Sequence, residues 1–202
     1  MKILILGTGR SGTTSLLNAI GNQGYHTISE PYNSDIRTFK TSYEYPLKEL
    51  EITKNLVVKC VPYEKPISYK ENWITFMKEF SSYFDTTIFL DRKNFEEHYL
   101  SVINLWYKRY TKQNVMDSWT ESSIPKDFIA GCNAADGQQK LHNDKNLLHE
   151  YKDAVTGNIT WYEDLYGQNR ETSLNIIKSW NLDLNTEQLH NDLDPKYRHK
   201  IL

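Results

Sequence analysis

Ile3-Leu4-Ile5-Leu6-Gly7-Thr8-Gly9-Arg10-Ser11-Gly12-Thr13-Thr14 opens on an unbroken apolar run, turns on three glycines and leads into the periodic stretch Leu16, Leu17, Ile20. A short apolar run bounded by glycine reads as a buried strand, and apolar residues at helical spacing beyond it read as a helix. The stretch is strand, tight turn, helix start. Glycine lets the backbone approach a ligand closely, while the free N–H groups and positive dipole end of the helix attract an anion. A phosphate or phosphate-like group is the expected guest.

Two nucleotide folds share such a loop. Gly7-x-Gly9-x-x-Gly12 satisfies the dinucleotide fingerprint, and Glu30 ends the next strand eighteen residues after Gly12, where an acid would accept from a ribose 2′-hydroxyl of NAD(P). Against that reading, Ser11, Thr13 and Thr14 cluster hydroxyls that suit a compact anion, and Pro31 turns the chain directly after Glu30. Gly7-x-x-x-x-Gly12-Thr13-Thr14 is also a near match to the Walker A loop, with Thr13 where the phosphate-binding lysine belongs. Ile88-Phe89-Leu90-Asp91 would then be the strand and acid that hold Mg²⁺ in an ATP-dependent kinase or NTPase. Loss of the lysine argues for a donor carrying less terminal charge.

Outward from the loop, β-rich runs at 2–6, 25–29, 56–60, 86–90 and 158–162 alternate with helix-like stretches. The alternation predicts a three-layer α/β fold of P-loop type, with a central, mainly parallel sheet of about five strands flanked by helices. The best helix begins at Asn94, an N-cap with Glu97 three residues on, and carries Phe95, Tyr99, Val102, Trp106 and Tyr110 on one face. Residues 67–84 and 169–181 also read as helical. Periodicity fades between about 111 and 137, around Pro125 and Gly131, before a polar helix near 138–152. The region 111–150 is read as an insert that shapes an acceptor site within one domain spanning 1–202, and 192–200 as a mixed-charge tail.

The 202 residues suffice for a core without staples, and 14 Tyr and 5 Trp add amphipathic packing area. A net charge of −2 supplies no global basic field, so nucleic acid is not an expected partner and any anion site must be local. Cys60 and Cys132 make neither a disulfide framework nor a zinc knuckle, which points to a reducing compartment. The apolar start is too short for a signal-peptide core, and no run is long enough to span a bilayer. A cytoplasmic location is expected.

Three segments together resemble the sulfotransferases that use 3′-phosphoadenosine 5′-phosphosulfate (PAPS), especially small bacterial and carbohydrate-type members. Gly9-Arg10-Ser11-Gly12-Thr13-Thr14-Ser15-Leu16-Leu17 is similar to the family's 5′-phosphosulfate loop. Ile88-Phe89-Leu90-Asp91-Arg92-Lys93-Asn94, running on to Ser101, resembles its 3′-phosphate motif. Thr160-Trp161-Tyr162-Glu163-Asp164-Leu165 looks like its segment near the C-terminus, a largely architectural one.

The resemblance implies sulfuryl transfer from PAPS to an acceptor hydroxyl on a small molecule or glycan, releasing adenosine 3′,5′-bisphosphate. Gly9, Arg10, Ser11, Gly12, Thr13 and Thr14 would cradle the phosphosulfate, with Arg10 stabilising charge on the transferring group. Arg92 or Lys93, with Ser101, would hold the 3′-phosphate; Arg92 matches by strand end and Lys93 by interval. No metal is required, and Asp91 becomes a structural acid. Lys59-Cys60-Val61-Pro62 keeps the family's strand-end lysine, but Val61 stands where many cytosolic members have a histidine. The general base is therefore expected at Glu30, with His26 in reserve, and Lys59 as a helper of the transferring group. Trp106, Tyr107, Tyr110 and Trp119 are candidates to stack on an acceptor, though aromatics at helical spacing are usually packing. Lys196, Arg198 and Lys200 offer a closing segment or a frayed tail. A nucleotide-binding module without catalysis is the remaining alternative.

Overall fold

The first strand, β1 (Lys2–Gly7), lies at the centre of the sheet, where an apolar run is buried on both faces. The computed structural model describes residues 1–32, 48, 50–62, 64–66, 69–111, 124–167 and 169–193. After β1 come α1 (Thr13–Gly21), β2 (His26–Ser29), β3 (Leu56–Cys60), α2 (Trp73–Ser81), β4 (Thr86–Asp91) and α3 (Phe95–Tyr110). Then follow α4 (Lys126–Ala134), α5 (Gly137–Ala154), β5 (Ile159–Trp161), α6 (Tyr162–Leu165), α7 (Arg170–Ser179) and α8 (Thr186–Asp192). Among the described residues, five strands form one all-parallel sheet in the order β2-β3-β1-β4-β5. This is the α/β architecture expected, a parallel sheet flanked by helices.

Successive strand side chains point to opposite faces, and β1 feeds two cores accordingly. Ile3 and Ile5 pack with Leu16 and Ile20 of α1, Ile177 of α7 and Leu189 of α8. Leu4 and Leu6 pack with Phe76 and Phe80 of α2 and with Leu148 and Tyr151 of α5. All four strand residues are fully buried, each contributing roughly 1.5–3 kcal/mol. A smaller cluster of Tyr99, Ile103 and Leu141 joins α3 to α4 and α5.

Several sequence expectations are corrected. Residues 126–134, read as irregular, form α4, a helix with no buried side chain and hence no strong apolar stripe. The helix expected over 67–84 is shorter, because Asn72 starts it by accepting from the Thr75 N–H at 2.9 Å. α8 was not anticipated; Asn185 caps it by accepting from the Gln188 N–H at 3.0 Å. Tyr162 opens α6 instead of ending β5. Trp119, Lys196, Arg198 and Lys200 lie outside the described residues.

The strand order decides what lies beside the loop. The dinucleotide fold places β2 next to β1, so that an acid ending β2 meets the ribose. Here β3 intervenes, and Glu30 is two strand spacings from β1, roughly 10 Å. The chain leaves β1 toward β2 and β3 on one side and later adds β4 on the other. That reversal opens a crevice at the C-terminal ends of β1 and β4, where open parallel sheets bind ligands.

Candidate active site

The loop between β1 and α1 sits at this crevice. A Cβ at Gly7 would come within 2.5 Å of the Leu90 carbonyl oxygen on β4, so the close approach of loop and strand requires glycine there. Gly12 has φ 87°, and a Cβ on it would lie 2.7 Å from the Tyr166 ring. The Tyr166 hydroxyl donates to the Gly12 carbonyl at 2.7 Å, pinning the turn from just beyond α6. Arg10 also adopts a left-handed conformation, φ 70°, in the middle of the loop. Gly9 is exposed at the tip, with open space where its side chain would be.

The hydroxyls divide by direction. Ser11 is fully buried and gives its proton to the Thr8 carbonyl at 2.7 Å, bracing the loop from inside. Thr13 is buried, whereas Thr14 is exposed and accepts from the Lys59 ammonium at 3.0 Å. Arg10 Nε donates to Ser101 Oγ at 3.4 Å. The loop and the second turn of α3, ninety-one positions apart in sequence, therefore meet.

At the end of β4 the two basic candidates part. Lys93 pairs with Asp164 at 2.7 Å, and its N–H donates to Glu163 at 3.0 Å, fastening β4 to α6. Arg92 lays its guanidinium 4.0 Å over the Tyr162 ring, a cation–π contact, and its Nη1 donates to the Glu97 carbonyl at 3.4 Å. Its Nε is buried with no hydrogen-bond partner among the described residues. Buried donors are seldom left unmade, so Arg92 has a buried donor in want of an acceptor.

On the other flank, Glu30 and Lys59 are joined at 2.5 Å, with both side chains largely buried. Glu30 holds a left-handed φ of 49°, unusual for a residue with a side chain. Lys59 thus bridges Glu30 to Thr14 across the spacing that β3 imposes. The sequence reading missed Glu64, which is buried and accepts from the Tyr32 N–H at 2.6 Å and the Val61 N–H at 3.1 Å. It ties the chain just beyond Glu30 to the chain just beyond Lys59. Burial pushes its carboxyl up to about 8 against the pull of those two N–H groups. His26, the reserve base, stands at the wrong end: it pairs with Leu56 at the start of β3, and Leu56 with Lys2 at the start of β1. The loop is at the opposite end of that sheet, so the structure removes His26 from the site.

Beneath the loop lies a charged cluster that the sequence did not reveal. Asp91 is fully buried, and Lys145 of α5 places its ammonium 2.8 Å from both carboxylate oxygens. The same ammonium donates to the Arg92 carbonyl at 2.7 Å. His149, one helical turn on, brings Nε2 to 2.9 Å of Asp91, and the Thr8 hydroxyl donates to it at 2.9 Å. Burial opposes ionisation of Asp91, but the His149 hydrogen bond and the Lys145 charge hold its carboxyl at about 2. His98 is buried and lowered to about 4, burial being the main cause, so it is neutral near pH 7. Its Nε2 lies 2.6 Å from the Gly9 carbonyl, which can only accept, and so the proton is on Nε2. In sequence, Lys145 and His149 look like members of a solvated helix face, and only their four-residue spacing hints otherwise.

Among the candidate stacking aromatics, Tyr107 and Tyr110 approach Phe128 of α4, and Trp106 packs in the α3 to α5 cluster. Cys60 is buried and Cys132 half-buried, both as free thiols. Among the described residues no helix is long and apolar enough to cross a membrane, and no group of His, Cys, Asp and Glu is arranged to hold a metal ion. Comparison with protein-family models, curated proteins and solved structures finds no match for this chain.

Proposed function

We propose that the chain is a PAPS-dependent sulfotransferase acting on an acceptor hydroxyl. One observation carries the reading: the three resembling segments, far apart in sequence, converge on the crevice at the ends of β1 and β4 through the Arg10–Ser101 and Arg92–Tyr162 contacts. In this account the backbone N–H groups of the loop receive the phosphosulfate, and Arg92 with Ser101 receives the 3′-phosphate. Arg92 is preferred over Lys93 because its buried Nε has no partner among the described residues, whereas the Lys93 ammonium is turned toward Asp164.

The acceptor oxygen attacks sulfur in line, the bond from sulfur to the bridging oxygen breaks, and adenosine 3′,5′-bisphosphate leaves. The acceptor proton goes to Glu30. Lys59, already between Glu30 and Thr14, balances the charge that moves from nucleophile to leaving group, and Arg10 offsets charge on the sulfuryl oxygens. A metal-dependent kinase fits less well, because Thr8, Lys145 and His149 already occupy the Asp91 oxygens and the loop lysine is absent. The strand order weighs against NAD(P) binding.

The test is formation of adenosine 3′,5′-bisphosphate from labelled PAPS across a panel of hydroxylated acceptors. Glu30→Gln is expected to lower transfer by roughly 10²–10⁴-fold. Full activity in both Glu30→Gln and Arg10→Ala would refute the mechanism, and absence of transfer with every acceptor would favour a binding module.

A further inference from the structure

The proposed chemistry uses neither Lys145 nor Asp91, yet both are built into the floor of the loop. Asp91 accepts a hydrogen bond from the Thr8 hydroxyl, and the Thr8 carbonyl accepts from both the N–H and the hydroxyl of Ser11, at 3.2 and 2.7 Å. The carboxylate therefore sets the first residue of the loop. It also places a negative charge directly beneath a site meant for an anion, which repels its guest unless something neutralises it. Lys145 touches both carboxylate oxygens and the Arg92 carbonyl, and its side chain is 16% exposed.

We propose that Lys145 is the resident cation of the donor site: a positioning residue on α5 that neutralises Asp91 and fixes Thr8 through it, so that the floor of the loop does not repel an anion. The proposal rests on reading the 7–14 loop as an anion site and deepens it. It also assigns α5, within the region read as acceptor-shaping, a structural share in the donor site. His149 adds a second donor to Asp91, while His98 faces the cluster with Nδ1 3.9 Å from Asp91 and supports Gly9 instead.

The test titrates adenosine 3′,5′-bisphosphate into wild-type protein, Lys145→Ala, and the charge-neutral double variant Asp91→Asn with Lys145→Met. Lys145→Ala is expected to bind about tenfold more weakly, and the double variant within about threefold of wild type. Propylammonium, which matches the three methylenes and the ammonium that the substitution removes, is expected to restore Lys145→Ala, and the equally sized propan-1-ol is not. Unchanged affinity in Lys145→Ala, or equal rescue by amine and alcohol, would overturn the proposal. So would a double variant as weak as the single one, a comparison that remains available, against wild type, if Lys145→Ala does not fold. If wild type fails to bind the bisphosphate, the donor reading falls. The role of Lys145 is then judged from the thermal midpoint of Lys145→Ala or, if that variant does not fold, from the double variant, whose midpoint near that of wild type upholds a charge-balancing role and whose failure to fold rejects it. In Lys145→Ala, a rise with propylammonium but not propan-1-ol upholds its cationic role, and no selective rise rejects it.

Discussion

Gly12 concentrates the residue-scale argument. It adopts φ 87° and faces the stacked pair Tyr162 and Tyr166, whose centroids are 4.8 Å apart. Gly12→Ala adds a backbone penalty and a clash with Tyr166, and is expected to cost about 2 kcal/mol or more in urea unfolding. Gly24, at φ 89° with open space where a Cβ would stand, lacks the clash, so alanine there is expected to cost about 1 kcal/mol. The need for glycine at 7 and 12 was legible in the sequence because it belongs to the turn itself. Lys145, His149, Glu64 and Tyr166 were not legible as partners of the site. Each acts across a gap that only the fold closes, and a lysine on a polar helix reads as solvated until its partner is known.

At the scale of elements, β4 and α3 carry the acid sensitivity. His98 is lowered to about 4 from its ordinary 6.5, so the unfolded chain binds its proton first, and the stability His98 contributes is lost as pH drops from about 6.5 to about 4. Asp91, held at about 2 against an ordinary 3.8, contributes stability that is complete above about 4 and lost as pH falls toward about 2. Glu64, held up to about 8, gains stability over the same fall in pH, so the His98 contribution is read as a difference: in urea unfolding wild type is expected to lose about 3 kcal/mol more than His98→Gln across the first window. The same pH dependence in His98→Gln and wild type would count against the buried neutral imidazole. The start of α3 is simpler: Asn94 accepts from the Glu97 N–H at 3.2 Å, as its sequence spacing indicated, and Asn94→Ala is expected to cost about 1 kcal/mol. Of the helices that were legible, α2, α3 and α7 are capped by Asn72, Asn94 and Asn169, and α1 carries buried Leu16, Leu17 and Ile20, while α5 was read as a polar helix without a side-chain cap. α4 has neither a side-chain cap nor a buried residue, so nothing local announced it.

At the scale of the whole molecule, alternating strands and helices were enough to give the sheet, since buried parallel strands read as apolar runs whatever their neighbours. The order of the strands was not in that pattern. It depends on which side of β1 each crossover packs, and it is what moves Glu30 two strands from the loop and brings Lys59 between them. The same order aligns the loop with the end of β4, where Arg92 keeps a buried Nε without a partner among the described residues. A crevice built this way is expected to select a compact nucleotide with anionic groups at both its 5′ and 3′ positions.

The most direct test of the account is calorimetric titration of the protein with adenosine 3′,5′-bisphosphate, beside ATP with Mg²⁺ and NADH, repeated on Arg92→Ala. The account predicts selective binding of the bisphosphate, weakened by roughly 1.5–3 kcal/mol in the variant as a charged hydrogen-bonding group is lost. Preference for ATP with Mg²⁺ or for NADH, or bisphosphate binding indifferent to Arg92, would contradict it.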